Sequence, residues 1–154
     1  VTAAADSTAG NGFTLLMACG KPAVDGWARL LATAIPPDQA GPDVARVISL
    51  FGGFGFAALL SDPAEARDQC AHISESFASI CRHRSIDART VTGFLKGSVP
   101  PFTGEAILCG HTAAEVPGPG GWLAVDWTAR QFDPHAPVPL AVPLTDWQAF
   151  WRPA

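Results

Sequence analysis

The order of periodicities along this 154-residue chain predicts an α+β fold. Helical spacing governs the first half, most clearly Val24, Trp27, Leu30, Leu31 and Ala34, and then Cys70, Ile73, Phe77, Ile80 and Cys81. Beyond Ile86 the pattern changes to strand-like alternation. Two of those stretches are joined by Pro117-Gly-Pro-Gly-Gly121, a hairpin loop by composition. At 16.0 kDa the chain is one domain's worth of residues and can bury a real core. We divide it into a flexible arm over 1–12 and a single domain over 13–154, because the first residues are small, polar and without period.

Each element has its own justification. Phe13–Cys19 is apolar and stops at Gly20, a strand or the start of a helix. Lys21–Ile35 is a helix with Pro22 in its first turn. The run 36–43 is a loop by its prolines and glycine. Val44–Phe51 and Phe56–Leu60 are apolar on nearly all sides and predict buried helices, joined at the glycine-rich FGGFGF by close backbone packing. That segment lacks the Lys-Ser/Thr of a phosphate loop. Asp62-Pro63 is an N-cap and first turn. A break is expected near Asp68–Gln69, so that Cys70 begins its own helix. Strands are expected at Arg89–Leu95, Glu105–Val116 and Trp122–Asp126, with a further one at Ala129–Phe132. The proline-rich stretch before Leu144 suits a surface or an edge strand, and residues 145–151 a last helical turn.

Charge and composition narrow the function. A net charge of −4 and four scattered basic positions (Arg82, His83, Arg84, Arg89) give no footprint for nucleic acid. The longest apolar run, Val47–Leu60, is interrupted by glycine and falls short of the ~20 residues that cross a bilayer, so no membrane partner is expected. The first ten residues carry neither positive charge nor an apolar core, so no intact signal peptide is expected there. Cysteines at 19, 70, 81 and 109 sit in apolar segments and do not form a disulfide framework, which points to a reducing, cytoplasmic compartment. Oligomeric state is not legible.

The chemistry-bearing residues are Cys70, His111 and Asp126. A thiol nucleophile needs a base, and the base needs a third group to fix its tautomer. Cys70 opens an amphipathic helix, His111 begins the strand HTAAEV, and Asp126 ends the strand GWLAVD. A hairpin through residues 117–121 would make the last two neighbours. Taken singly, each has a plainer reading: a buried apolar thiol, a strand histidine, a solvated carboxylate. Cys-x-His also occurs at Cys70/His72, Cys81/His83 and Cys109/His111. Residues i and i+2 diverge on a helix, so the first two pairs do not chelate, and the spacing does not suit zinc. No metal or cofactor is expected. Of five tryptophans, Trp127 is expected to border the site, as a channel wall or a shield for the Asp–His bond.

The segment Cys70–Gly93 resembles the active-site helix and following strand of transglutaminase-like and papain-like cysteine enzymes. Ser85-Ile-Asp-Ala-Arg89 takes the place of that superfamily's Gly-Ile-Pro-Ala-Arg. HTAAEV is similar to its His-Ala-Trp-Val-Glu-Val strand, with Ala for the aromatic residue. GWLAVDWT is similar to Gly-Trp-Val-Pro-Val-Asp-Pro-Thr. The run Asp126-Trp-Thr-Ala-Arg-Gln-Phe132 further resembles the Asp-x-Thr-Ala-x-Gln-Phe of papain-fold bacterial toxin deamidase domains of the dermonecrotic type. The resemblance implies a papain/transglutaminase-like fold, with the nucleophile helix packed on a carboxy-terminal antiparallel sheet. It implies catalysis by Cys70, His111 and Asp126, with Gln131 and the Cys70 backbone N–H as the oxyanion hole. Glutamine deamidation of a protein or peptide carboxamide is the expected activity, by a toxin or effector acting in its own or another cell's cytoplasm. Peptidase, acyltransferase and non-catalytic binding domain stay open as alternatives.

Overall fold

The computed structural model describes residues 11–98 and 101–154. The expected flexible arm thus lies largely outside the described residues, and its last two positions belong to the first helix. Helices α1 (Asn11–Ala18), α2 (Lys21–Ala32), α3 (Pro42–Phe51), α4 (Ala57–Leu60), α5 (Pro63–Ala66) and α6 (Cys70–His83) precede an antiparallel sheet. Its strands β1 (Arg89–Gly97), β2 (Ala106–Gly118), β3 (Gly121–Asp126) and β4 (Leu140–Pro143) lie in sequential order, and α7 (Leu144–Phe150) follows. The fold is α+β, with the helix that Cys70 begins packed on the sheet as the resemblance implies.

The pleat explains how one sheet serves two cores. Successive side chains alternate faces, so Ala114, Val116, Leu123 and Val125 join α3 and α6 in one cluster, around Phe51, Phe77 and Trp127. Ala113 and Ala124 point the other way and join α1, α2, β4 and α7, around Trp27, Phe132, Trp147 and Trp151. Alanine at the centre of both faces lets helices approach closely. The sequence reading missed this second layer: the amino-terminal helices α1 and α2 lie across the sheet from α6. The hairpin over 117–121 forms as expected, with Gly118 opposite Gly121. The proline-rich tail supplies the edge strand β4.

Three expectations are corrected. In the glycine segment close packing holds only at Gly52, where a Cβ would lie 3.3 Å from that of Ala57. Gly55 adopts φ 99 in a kinked turn over Gly52–Phe56, and Gly53 and Gly55 face open space. Phe54 and Leu59 there are exposed, so this region is amphipathic. By length and composition Pro42–Leu60 is apolar enough to cross a membrane; Val44, Val47, Ile48, Phe51 and Leu60 are spent on the core. Ala129–Phe132 is not a strand. The Thr128 N–H donates to the Asp126 carboxylate at 3.0 Å, which turns the chain at once into a 3₁₀ turn over Ala129–Gln131.

Trp127 is the third. It is 1% exposed and packs on Phe51 and Phe77, with ring centroids 4.9 and 5.6 Å away. The residue after Asp126 points to the α3/α6 side, where the indole fills the space between two helices. It is core, with no surface to offer a substrate. Trp127→Ala should therefore cost about 3–5 kcal/mol of stability, as large aromatic truncations in cores do. Urea unfolding of the variant checks this, and a native midpoint would return Trp127 to the cleft.

Candidate active site

The thiol is set up by a chain break. Helix α5 is capped by Asp62, whose carboxylate accepts from the Ala64 N–H at 3.0 Å, and it ends at Ala66. Arg67 is extended, Asp68 takes φ 63, and α6 starts at Cys70. Asp is among the few residues that adopt this left-handed conformation readily. The expected break at Asp68–Gln69 is therefore present. No side chain caps α6, so its first-turn N–H groups and the positive end of its dipole are left to the Cys70 region. Arg130 holds the preceding loop in place: Nη1 donates to Ser61 O and Nε to Ala136 O. One turn into α6, Ser74 Oγ donates to Thr112 O at 3.1 Å, pinning the helix to β2 beside His111.

His111 and Asp126 meet across the sheet. The register puts Val125 opposite Ala114, so Asp126 lies opposite Ala113 and reaches His111 on the diagonal. Diagonal neighbours stand about 7–8 Å apart at the backbone, a span that a histidine and an aspartate close between them. His111 Nε2 and Asp126 Oδ2 are 2.6 Å apart, with side chains 1% and 0% exposed. The other carboxylate oxygen, Oδ1, accepts from the Thr128 N–H and from its hydroxyl. Gln131 Nε2 donates to Thr128 Oγ1 at 3.2 Å. This bond places the amide in the network behind Asp126.

An aromatic box surrounds the imidazole. Phe132 stands edge-on with centroids 4.8 Å apart, Trp151 lies at 4.8 Å and Trp147 at 6.1 Å. Trp151 occupies the space opposite His111 because the register partner there is Gly93. A Cβ on Gly93 would come within 2.2 Å of the Trp151 carbonyl oxygen. The chain after Trp151 then bridges back to β1, with Phe94 N donating to Arg152 O and Arg152 N to Phe94 O. The sequence reading singled out Trp127 among the tryptophans and did not connect Trp147 and Trp151 to His111. Gly93 was the available signal, a lone glycine inside a strand pattern.

Electrostatics distinguish Cys70 from the other thiols. Burial pushes Cys70 up, but the hydrogen bond and charge of His111, with the Thr112 amide, outweigh it and the opposing charge of Asp126. The thiol is held below its usual value. Burial pushes Cys81 up to about 11 and raises Cys19; Cys109 is raised by burial and by the nearby Cys70, Cys19 and Asp68. His111 is driven the opposite way from a buried imidazole. Burial disfavours its charge, yet the charge and hydrogen bond of Asp126, then Cys70, lift it to about 9. With Nε2 on Asp126, Nδ1 is buried without a well-formed hydrogen bond and is the nitrogen available to Cys70. Loose nucleophile–base contacts are common before substrate binds.

Residues 63–127 match the transglutaminase-like superfamily. The match covers less than half of the chain. The matched stretch runs from α5 to the residue after Asp126, and so contains Cys70, His111 and Asp126. No curated protein and no solved structure matches the chain. Enzymes of the superfamily are typically cysteine-dependent hydrolases or acyltransferases. Among the described residues no group of three His, Cys, Asp or Glu side chains gathers to hold a metal.

Gly93→Ala should displace Trp151 and open the box, since the clash is with backbone that cannot swing aside. Stability should fall by about 1–3 kcal/mol, the range for overpacking, and iodoacetamide labelling of Cys70 at neutral pH should slow. Timed alkylation with peptide mapping on the folded variant measures this. Labelling at the wild-type rate would separate the box from the thiol.

Proposed function

We propose that this chain is a cysteine-dependent amidohydrolase whose preferred reaction is deamidation of glutamine side chains in a protein or peptide. One observation carries the reading. Cys70 alone of the four thiols is shifted toward thiolate, beside an imidazole shifted toward imidazolium and locked to Asp126.

In this reaction the Cys70 thiolate attacks the carboxamide carbon. The oxyanion forms at the unpaired start of α6, where the Cys70 N–H and the helix dipole stabilise it. Imidazolium Nδ1 gives its proton to the departing nitrogen, ammonia leaves, and a thioester remains. Neutral His111 then takes a proton from water, whose oxygen attacks the thioester. Carboxylate is released and the thiolate–imidazolium pair is restored. Asp126 keeps Nε2 protonated throughout and stabilises the charged ring. Thr128 and Gln131 hold the carboxylate. A reducing, cytoplasmic setting, in its own or a target cell, suits four free cysteines.

Water is the favoured acceptor because an amine wins only where a dry channel binds it, and Trp127, the expected channel wall, is core. Glutamine-containing protein substrates should gain about 1 Da and release ammonia, in a manner abolished by Cys70→Ala. Mass spectrometry with and without a primary amine probe makes the measurement. Probe incorporation as the main product would indicate an acyltransferase, backbone cleavage a peptidase. No Cys70-dependent change in any substrate would leave a binding domain.

A further inference from the structure

A second feature of the molecule is unused by this chemistry. Between α2, α7, and the ends of β1 and β2 lies a cavity of about 370 Å³. Its floor is apolar, with Leu95, Leu108 and Phe150, and Arg29, Lys96 and Arg152 line it. That is three of ten basic residues in a chain of net charge −4, and no Asp or Glu is among the lining residues. Arg152 pairs with Glu105 at 2.5 Å, and Lys96 Nζ donates to Pro153 O. Arg29 is exposed and has no ion pair or hydrogen bond among the described residues. Arg29 and Lys96, which have no ion pair among the described residues, favour an anionic occupant.

The cavity's position relates it to the thiol. Leu108 precedes His111 by three residues on β2, a span of about 10 Å at strand spacing. Leu95 pairs with Cys109, as Gly93 pairs with His111. Cys70, His111 and Asp126 do not line the cavity. Three residues of an extended peptide span the same ~10 Å, so a peptide leaving the thiol toward Leu108 would bring its third residue near this cavity.

We propose that the cavity is a substrate subsite for an acidic side chain, taking a Glu or Asp about three residues from the target glutamine. This rests on the amidohydrolase reading for its purpose, not for its binding. The apolar floor favours a peptide over a free inorganic anion: a carboxylate on an aliphatic stem uses both the cations and Leu95, Leu108 and Phe150.

Binding is read on full-length Cys70→Ala, by anisotropy of a labelled peptide holding one Gln and a Glu three residues away. The comparison is the same peptide with that Glu replaced by Gln. At low salt the acidic peptide should bind about tenfold more tightly, and added salt should erode the difference. Arg29→Gln and Lys96→Gln together should abolish most of the preference; should the Lys96 change disturb folding, Arg29→Gln alone should reduce it. Equal binding of the two peptides, or a preference untouched by Arg29→Gln, would overturn the proposal. So would displacement by inorganic phosphate as effective as that by unlabelled acidic peptide. Because the protein used is inert, absence of deamidation by the wild-type chain would fault the amidohydrolase reading and leave the subsite standing.

Discussion

The His111–Asp126 bond, closed off from water, is the interaction on which the rest of the site depends. A buried ion pair repays its desolvation only when geometry is good and the remaining lone pairs are satisfied. The carboxylate meets both conditions, since one oxygen faces Nε2 and the other is held by Thr128, itself held by Gln131; on the imidazole, Nδ1 is left for Cys70. The pair has a thermodynamic signature. Against burial, Asp126 lifts the imidazole from the ordinary 6.5 to about 9 in the folded protein. Stability from the bound proton is therefore complete below the unfolded value and lost as pH rises through about 9.

Segments from the carboxy-terminal part of the chain are recruited to keep that pair dry. Phe132 follows the turn that Asp126 nucleates, and Trp147 and Trp151 come from the last helix and its end. Gly93 leaves room for Trp151 on the strand opposite His111. On the other side, the break at Asp68 and the Ser74–Thr112 bond bring the start of α6 to the point on β2 where pairing with β3 has ended. Cys70 and His111 thus come from a helix on one face of the sheet and from a strand of the sheet itself. A single α-helix or hairpin could not present them together.

The helix–strand order and the three chemistry-bearing residues were legible because they follow from local pattern. A period change at Ile86, an Asp-Pro cap and a glycine-rich hairpin each leave a mark within a few residues. The break before Cys70 was legible too, since a helix running through it would have taken the dipole away. What was not legible depends on contacts between distant segments. Trp127 looked like a cleft wall from its place beside Asp126, but strand alternation sends it to the opposite core. The bond from Gln131 to Thr128 is likewise set by the turn after Asp126, which no motif announces. The layer formed by α1, α2 and α7 left no mark, because an amphipathic helix announces its apolar face without saying which face of the sheet will cover it.

The central claim is that Asp126 holds His111 as a buried imidazolium. The direct measurement is a pH titration of the His111 ring ¹⁵N shifts by NMR in the folded protein. The account predicts that both ring nitrogens are protonated at pH 7 and that Nδ1 loses its proton at about 9. A neutral ring at pH 7, titrating near the ordinary histidine value, would contradict it.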